Sequence, residues 1–330
     1  MSEMRQMVIE VVEKMLKDHV TKEHVDALAA GKWDQQLWQL FEENGMLALA
    51  TADMAESDMT DLFALYPLMG KYAAPIPFVE HTLANVLLKT VGAETYDTLT
   101  TFVLVDEWHD TLPLVPWARD ASQVVVIGRE KLAVFALDKA TIQKSTNLAS
   151  EPRDTVTFST LEAHIEVQLT AAQYDQLRTY ITMATVLKSA GAIETAVALT
   201  VQFSKEREQF GRPIHRFQMV QRHLADIAGE RAIMQAAAGN LLENIVPHEV
   251  GYARIRLEQA IRIVTASAHQ VHAAIGVTDE HPLNHYTRRL WAWRDELVKA
   301  NEWQHMLAQH LLEQDVDIWA ALTAQSNYNR

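Results

Sequence analysis

Apolar residues in the first part of the chain, from Met4 to about Val91, return at helical spacing, as in Trp33, Leu37, Leu40 and Phe41. Gly45, Pro67 and Gly70 interrupt the pattern, which predicts a helical first domain. Ala73, Ala74, Pro75 and Pro77 keep residues 71–78 from continuing a helix, so that stretch reads as an extended connection to a helix over 79–90. The pattern then changes to short β-branched runs at 101–105, 123–127, 131–137, 154–158 and 164–169, separated by turn residues. These predict a small β domain. From Ala171 the helical period returns, in long segments near 171–206, 217–243 and 248–275 and shorter ones after Pro282. Helices that long pack against one another as a bundle. The expected fold class is mainly α with a small β domain. It divides into an N-terminal helical domain (1–98), a reduced middle β domain (99–170) and a C-terminal four-helix bundle (171–330).

Composition narrows the function. The 330 residues are 48% hydrophobic and 22% charged, an ordinary globular balance with no low-complexity tract. A formal net charge of -14 repels phosphate backbones and anionic lipid, so neither nucleic acid nor a membrane surface is an expected partner. Cysteine is absent, which excludes disulfides, thiolate metal sites and cysteine nucleophiles, and no metal site is expected. Charges at Glu3, Arg5, Glu10, Glu13 and Lys14 interrupt the N-terminal stretch, unlike a secretory signal. No uncharged apolar run approaches the ~18 residues that span a bilayer. The expectation is a soluble, cytoplasmic protein.

The densest chemical signal is Arg207-Glu208-Gln209-Phe210-Gly211-Arg212-Pro213-Ile214, followed by Gln218. Gly211 and Pro213 are expected to end one long helix and restart another, placing Arg207 and Arg212 at a helix junction. A guanidinium there can grip a diphosphate, and the next helix adds free N–H groups and its dipole. Taken alone, the arginines read first as helix-capping residues on a solvated face. The second signal is Gln270-Val271-His272-Ala273-Ala274-Ile275-Gly276, followed by Glu280, Pro282 and Arg288. Taken alone, His269 and His272 read as helix-surface or hydrogen-bonded core histidines.

Arg-x-x-Phe-Gly with Pro-Ile and the downstream glutamine resembles a hallmark of the acyl-CoA dehydrogenases. The second segment resembles a glutamine- and glycine-containing turn of the same family, and Trp33, Leu37, Glu43, Gly45 and the 70–77 stretch ahead of Glu80 add a weaker resemblance. The resemblance implies that Arg207, Phe210 and Gln218 bind the diphosphate region of FAD held by a neighbouring subunit, with Gln270 and Gly276 near its adenosine. Ala273 and Ala274 stand where the family carries glycines, and alanine is costly at positive backbone angles. The family's middle-domain T-E-P-x-A-G-S-D and W-x-[TS] segments have no counterpart beyond Pro116 and Trp117.

The chemistry implied is α,β-dehydrogenation of an acyl-CoA thioester with electrons passed to an electron-transferring flavoprotein. It requires a carboxylate to take the α-proton. Ungapped counting from Arg288 puts that base at Leu297, so Glu296 or Asp295 is the candidate. The position used by another branch of the family falls at Ile181, which cannot act as a base. The bland alternative for Asp295 and Glu296 is an amphipathic turn with a local ion pair. The reduced middle domain resembles short subunits that pair with a longer homologue, so the expected assembly is a homo-oligomer or such a hetero-oligomer. A non-catalytic partner supplying half of a flavin interface is the competing reading.

Overall fold

The computed structural model describes residues 3–51, 56–313 and 319. Six helices open the chain: α1 (Glu3–His19), α2 (Lys22–Ala29), α3 (Gln35–Glu43), α4 (Glu56–Phe63), α5 (Tyr66–Lys71) and α6 (Phe78–Thr90). Asp34 caps α3 by accepting from the Leu37 N–H at 2.9 Å. The proline-rich connection between α5 and α6 breaks the helix, as the sequence predicts, but turns at Ala73 (φ 48°) instead of running extended, and α6 is buried along most of its length.

The β region begins at Thr100 and carries two sheets. One runs β1 (Thr100–Leu104), β3 (Gln123–Ile127), β4 (Lys131–Ala136), β7 (Ile165–Gln168), with β1 and β3 parallel and the other pairs antiparallel. The other is antiparallel: β2 (Thr111–Pro116), β6 (Arg153–Thr157), β5 (Thr141–Gln143). The strands β2 and β5 are additions to the sequence-based expectation. β2 is interrupted between Leu112 and Val115, and β5 is only half-buried at its centre, so neither alternates cleanly.

The third region is built on α7 (Ala171–Glu206), whose start carries a full capping box between Thr170 and Gln173. A short hairpin, β8 (Glu208–Gln209) and β9 (Arg212–Pro213), leads to α8 (Gln218–Glu243), α9 (Pro247–His272), α10 (Leu283–Asp295) and α11 (Ala300–Glu313). Among the described residues α7 is the one helix long and apolar enough to cross a membrane, but 72% of that apolar window is buried inside the protein. It is a core helix, packed against α5, α8, α9 and α10. The crossing with α5 is close enough to require glycine on both sides: a Cβ at Gly70 would overlap the Lys188 carbonyl, and one at Gly191 the Pro67 carbonyl. That contact fixes the first domain against the middle of α7, where Lys188 lies.

Candidate functional site

The helix junction expected around Arg207 is a β-hairpin. Arg207 leaves α7 in an extended conformation, its N–H still bonded to the Phe203 carbonyl at 2.8 Å. Gln209 pairs with Arg212, so Phe210 and Gly211 form a two-residue turn with φ of 53° and 76°. Both positive angles are what a type I′ hairpin demands. Phenylalanine pays about 1 kcal/mol or more for that conformation, yet its ring is 91% exposed. A strained, solvent-facing aromatic buries little of its surface within the chain. The Arg212 guanidinium lies over the Phe217 ring at 4.3 Å, and Phe210 meets the same ring edge-on at 6.1 Å. Phe217 then starts α8 without a side-chain cap, leaving the first N–H groups beside exposed Gln218 without one.

At the end of α9, Gln270 is exposed and the chain turns through Ala273 at φ 55° and ψ −139°. The positive angle anticipated from the missing glycine is therefore adopted by an alanine. Gly276 is buried for a different reason, since a Cβ there would come within 2.7 Å of the His272 Cβ. His272 is 2% exposed, stacked on Phe203 at 4.3 Å and edge-on to His281 at 4.6 Å. Burial lowers it to about 4, assisted by His281 and His269, against a raising contact with the Ala268 carbonyl. His272 is thus a buried neutral ring whose Nε2 has no partner, and the expectation of a surface or fully bonded histidine is corrected. The Phe203–His272 stack and a 3.1 Å His223–Ser267 bond hold the ends of α7, α8 and α9 together. Arg207, Phe210, Gln218, Gln270 and Gly276 therefore gather at one end of the bundle.

Glu296 and Asp295 do not join them. Lys188 marks the cleft side of α7 and Arg207 its far end, which at the helical rise puts the two regions about 28 Å apart. Asp295 is bonded twice, at 2.9 Å each, to Arg294, which lowers its pKa. Glu296 caps the end of α10 and faces the β region. Its carboxylate accepts from Arg153 Nη2 at 2.8 Å and Nε at 3.1 Å, and from Asn147 at 2.8 Å. Arg254, fully buried, fixes this segment by donating to the Arg294 carbonyl at 2.6 Å and the Val298 carbonyl at 3.1 Å.

Behind Glu296 the network continues. Glu151 accepts from Trp293 and Asn147 at 2.9 Å and pairs with Arg153 and Arg289 at 3.3 Å. Burial alone would raise Glu151, but Arg153, Arg289 and Lys188 overcome it and hold it at about 2. A cleft of about 630 Å³ lies outside the Arg153–Glu296 pair, walled by β1, β2 and the 295–302 segment. A chamber of about 20 Å³ lies inside it, and Ile181 is one of its walls. Trp117 is 3% exposed and packs edge-on against Trp33 at 6.0 Å.

Sequence reasoning singled out the residues of the hairpin, as a helix junction, and missed the cleft residues Asn147, Glu151, Arg153, Lys188 and Arg289. One signal was available: Lys188 is a lone charge within the apolar run of α7.

The acyl-CoA dehydrogenase C-terminal domain family matches residues 180–293. The acyl-CoA dehydrogenase IpdE2 of Mycolicibacterium smegmatis is 27% identical over 305 residues, covering 88% of this chain and 93% of that protein. The ChsE4-ChsE5 complex from Mycobacterium tuberculosis contains a chain that superposes with a TM-score of 0.79 at 20% identity, covering 95% of this chain and 98% of that one. Butyryl-CoA dehydrogenase from Megasphaera elsdenii does so with 0.77 at 14% identity, covering 94% and 99%. The fold is shared along the chain, and the sequence match to the acyl-CoA dehydrogenase C-terminal domain family falls on the bundle that carries the hairpin and the α9 turn.

Proposed function

We propose that the chain takes part in FAD-dependent α,β-dehydrogenation of an acyl-CoA thioester, as a subunit that completes a flavin site on its neighbour. Family members use FAD. The observation that carries the reading is the hairpin: Phe210 is strained, 91% exposed, and about 28 Å along α7 from the chain's own cleft. Residues placed there serve a second subunit.

The donor set fits the diphosphate half of FAD. Arg207 supplies a bidentate cation, the uncapped start of α8 supplies N–H groups, Gln218 and Gln270 supply amides, and Phe210 covers a planar or apolar portion of the ligand. Bound FAD supplies the acceptor for the hydride leaving the β-carbon. The fit of the chain's own cleft to a flavin ring is poorer, because Trp117 is buried elsewhere and Arg153–Glu296 divides the space. The neighbour in this reading is a longer homologue, the substrate is an acyl-CoA, and an electron-transferring flavoprotein takes the electrons.

A second arrangement, a complete homo-oligomer, is favoured by the place of Glu296 on the cleft wall. As a base it would take the α-proton at a carboxylate oxygen after release from Arg153. Purifying the chain alone and with a longer homologue, then recording visible spectrum and subunit mass, separates the two. The hetero-oligomer predicts a colourless chain that turns yellow, and bleaches with acyl-CoA, only in the mixed assembly. A yellow, bleachable oligomer of this chain alone supports the second. Absence of flavin from every assembly refutes both.

A further inference from the structure

The outer cleft and the inner chamber share four residues, Pro116, Arg153, Glu296 and Leu297. The ion pair between Arg153 and Glu296 is thus a partition between them, 3% exposed on the arginine and 18% on the glutamate. The rest of the chamber wall is apolar along Val79, Leu83, Phe102, Ile181 and Ala184 and polar at Glu80, Thr185 and Lys188; the Thr185 hydroxyl is already bonded to the Ile181 carbonyl at 3.1 Å.

Lys188 has no obvious reason to be charged there. It is 6% exposed, and among the described residues no carboxylate lies within ion-pair distance of it. Arg153 and Arg289 each have a bonded carboxylate, whereas the Lys188 ammonium rests on the Trp293 ring at 4.4 Å. Burial, the largest influence on Glu80, pushes its carboxyl up against the pull of Lys188 and Arg153, which weakens it as a counter-ion. An ammonium removed from water without a bonded anion is costly to maintain. Its position on the wall of the chamber behind the Arg153–Glu296 pair gives that cost a use.

We propose that Lys188 receives a distal carboxylate on an acyl chain, so that the cleft of this chain selects thioesters whose acyl group carries a second acid group. The inference rests on the acyl-CoA reading above, in the arrangement in which this chain's own cleft takes the thioester. As it stands the chamber has room for about one water, so entry requires the partition to move. The partly exposed Glu296 can turn from Arg153 into the outer cleft and so open the way to Lys188. No covalent bond is made or broken in this movement.

The test uses the FAD-loaded assembly and unreactive S-alkyl-CoA thioethers of equal length ending in a carboxylate, a carboxamide or a methyl group. Calorimetry should show the carboxylate form binding on the order of tenfold or more tighter than the other two, the size of a charged hydrogen bond. Lys188→Met in this chain should erase the preference while the methyl-ended thioether binds as before, which also reports that the variant folds. Equal binding of all three, no binding of the carboxylate form, or a preference that survives both Lys188→Met and Lys188→Gln overturns the inference. Each of those results leaves flavin binding, and with it the proposed function, standing. Loss of flavin from the unmodified assembly would instead remove the function itself.

Discussion

Replacing Arg153 by methionine should destabilise the protein by about 3 kcal/mol, the low end for stripping one partner from a buried ion pair. Arg153 is 3% exposed and is the shared donor for Glu296 and Glu151. Its removal leaves Glu296 with Asn147 alone, and Glu151 with Asn147, Trp293 and Arg289. The low end is chosen because those residual bonds persist and Glu296 keeps 18% exposure. Urea unfolding followed by tryptophan fluorescence reads the loss, and Trp293, bonded to Glu151 at 2.9 Å, sits inside the perturbed network. Adding Glu296→Leu should recover most of the deficit, because replacing both partners removes the stranded charge. A single-variant loss under about 1 kcal/mol, or a double variant no better than the single, would refute a partition held by this pair.

Ala273→Gly should stabilise the chain by about 1 kcal/mol, since relief of a positive φ outweighs the added unfolded-state entropy; thermal unfolding checks it. Acid should weaken the fold in two windows. His272, lowered by burial from 6.5 to about 4, costs stability as pH falls from 6.5 through 4, and Glu151, lowered from 4.5 to about 2, as it falls from 4.5 toward 2. His272→Phe should shrink the first window in a pH series of urea midpoints, with buried His81 and His285, also lowered to about 4, keeping the remainder, and should leave the second unchanged. Phe210→Gly should leave or raise the chain's own stability while weakening flavin retention in the assembly on the order of tenfold, measured by flavin release on dilution.

The long helices were legible because their periods are sustained: α7 coincides with the predicted 171–206 segment. The core strand β3 was legible as the run Gln123–Ile127. β2 was not, because Pro113 and Pro116 and the register shift between Leu112 and Val115 erase its alternation. The hairpin motif was found by its residues but read as a helix break. Phe-Gly is not the usual type I′ pair, and its two-residue strands carry no periodic signal. Glu296 was legible as a candidate base without its restraint, since Arg153 and Asn147 lie far away in sequence and meet it only through tertiary packing.

The central claim is that this chain's hairpin completes a flavin site on a second subunit. Arg207→Ala in this chain alone, with the longer homologue unchanged, tests it through the FAD dissociation constant of the assembled enzyme. The account predicts affinity weakened on the order of tenfold or more, with subunit mass and the fold of the variant chain intact. Unchanged FAD affinity in that intact assembly would contradict it.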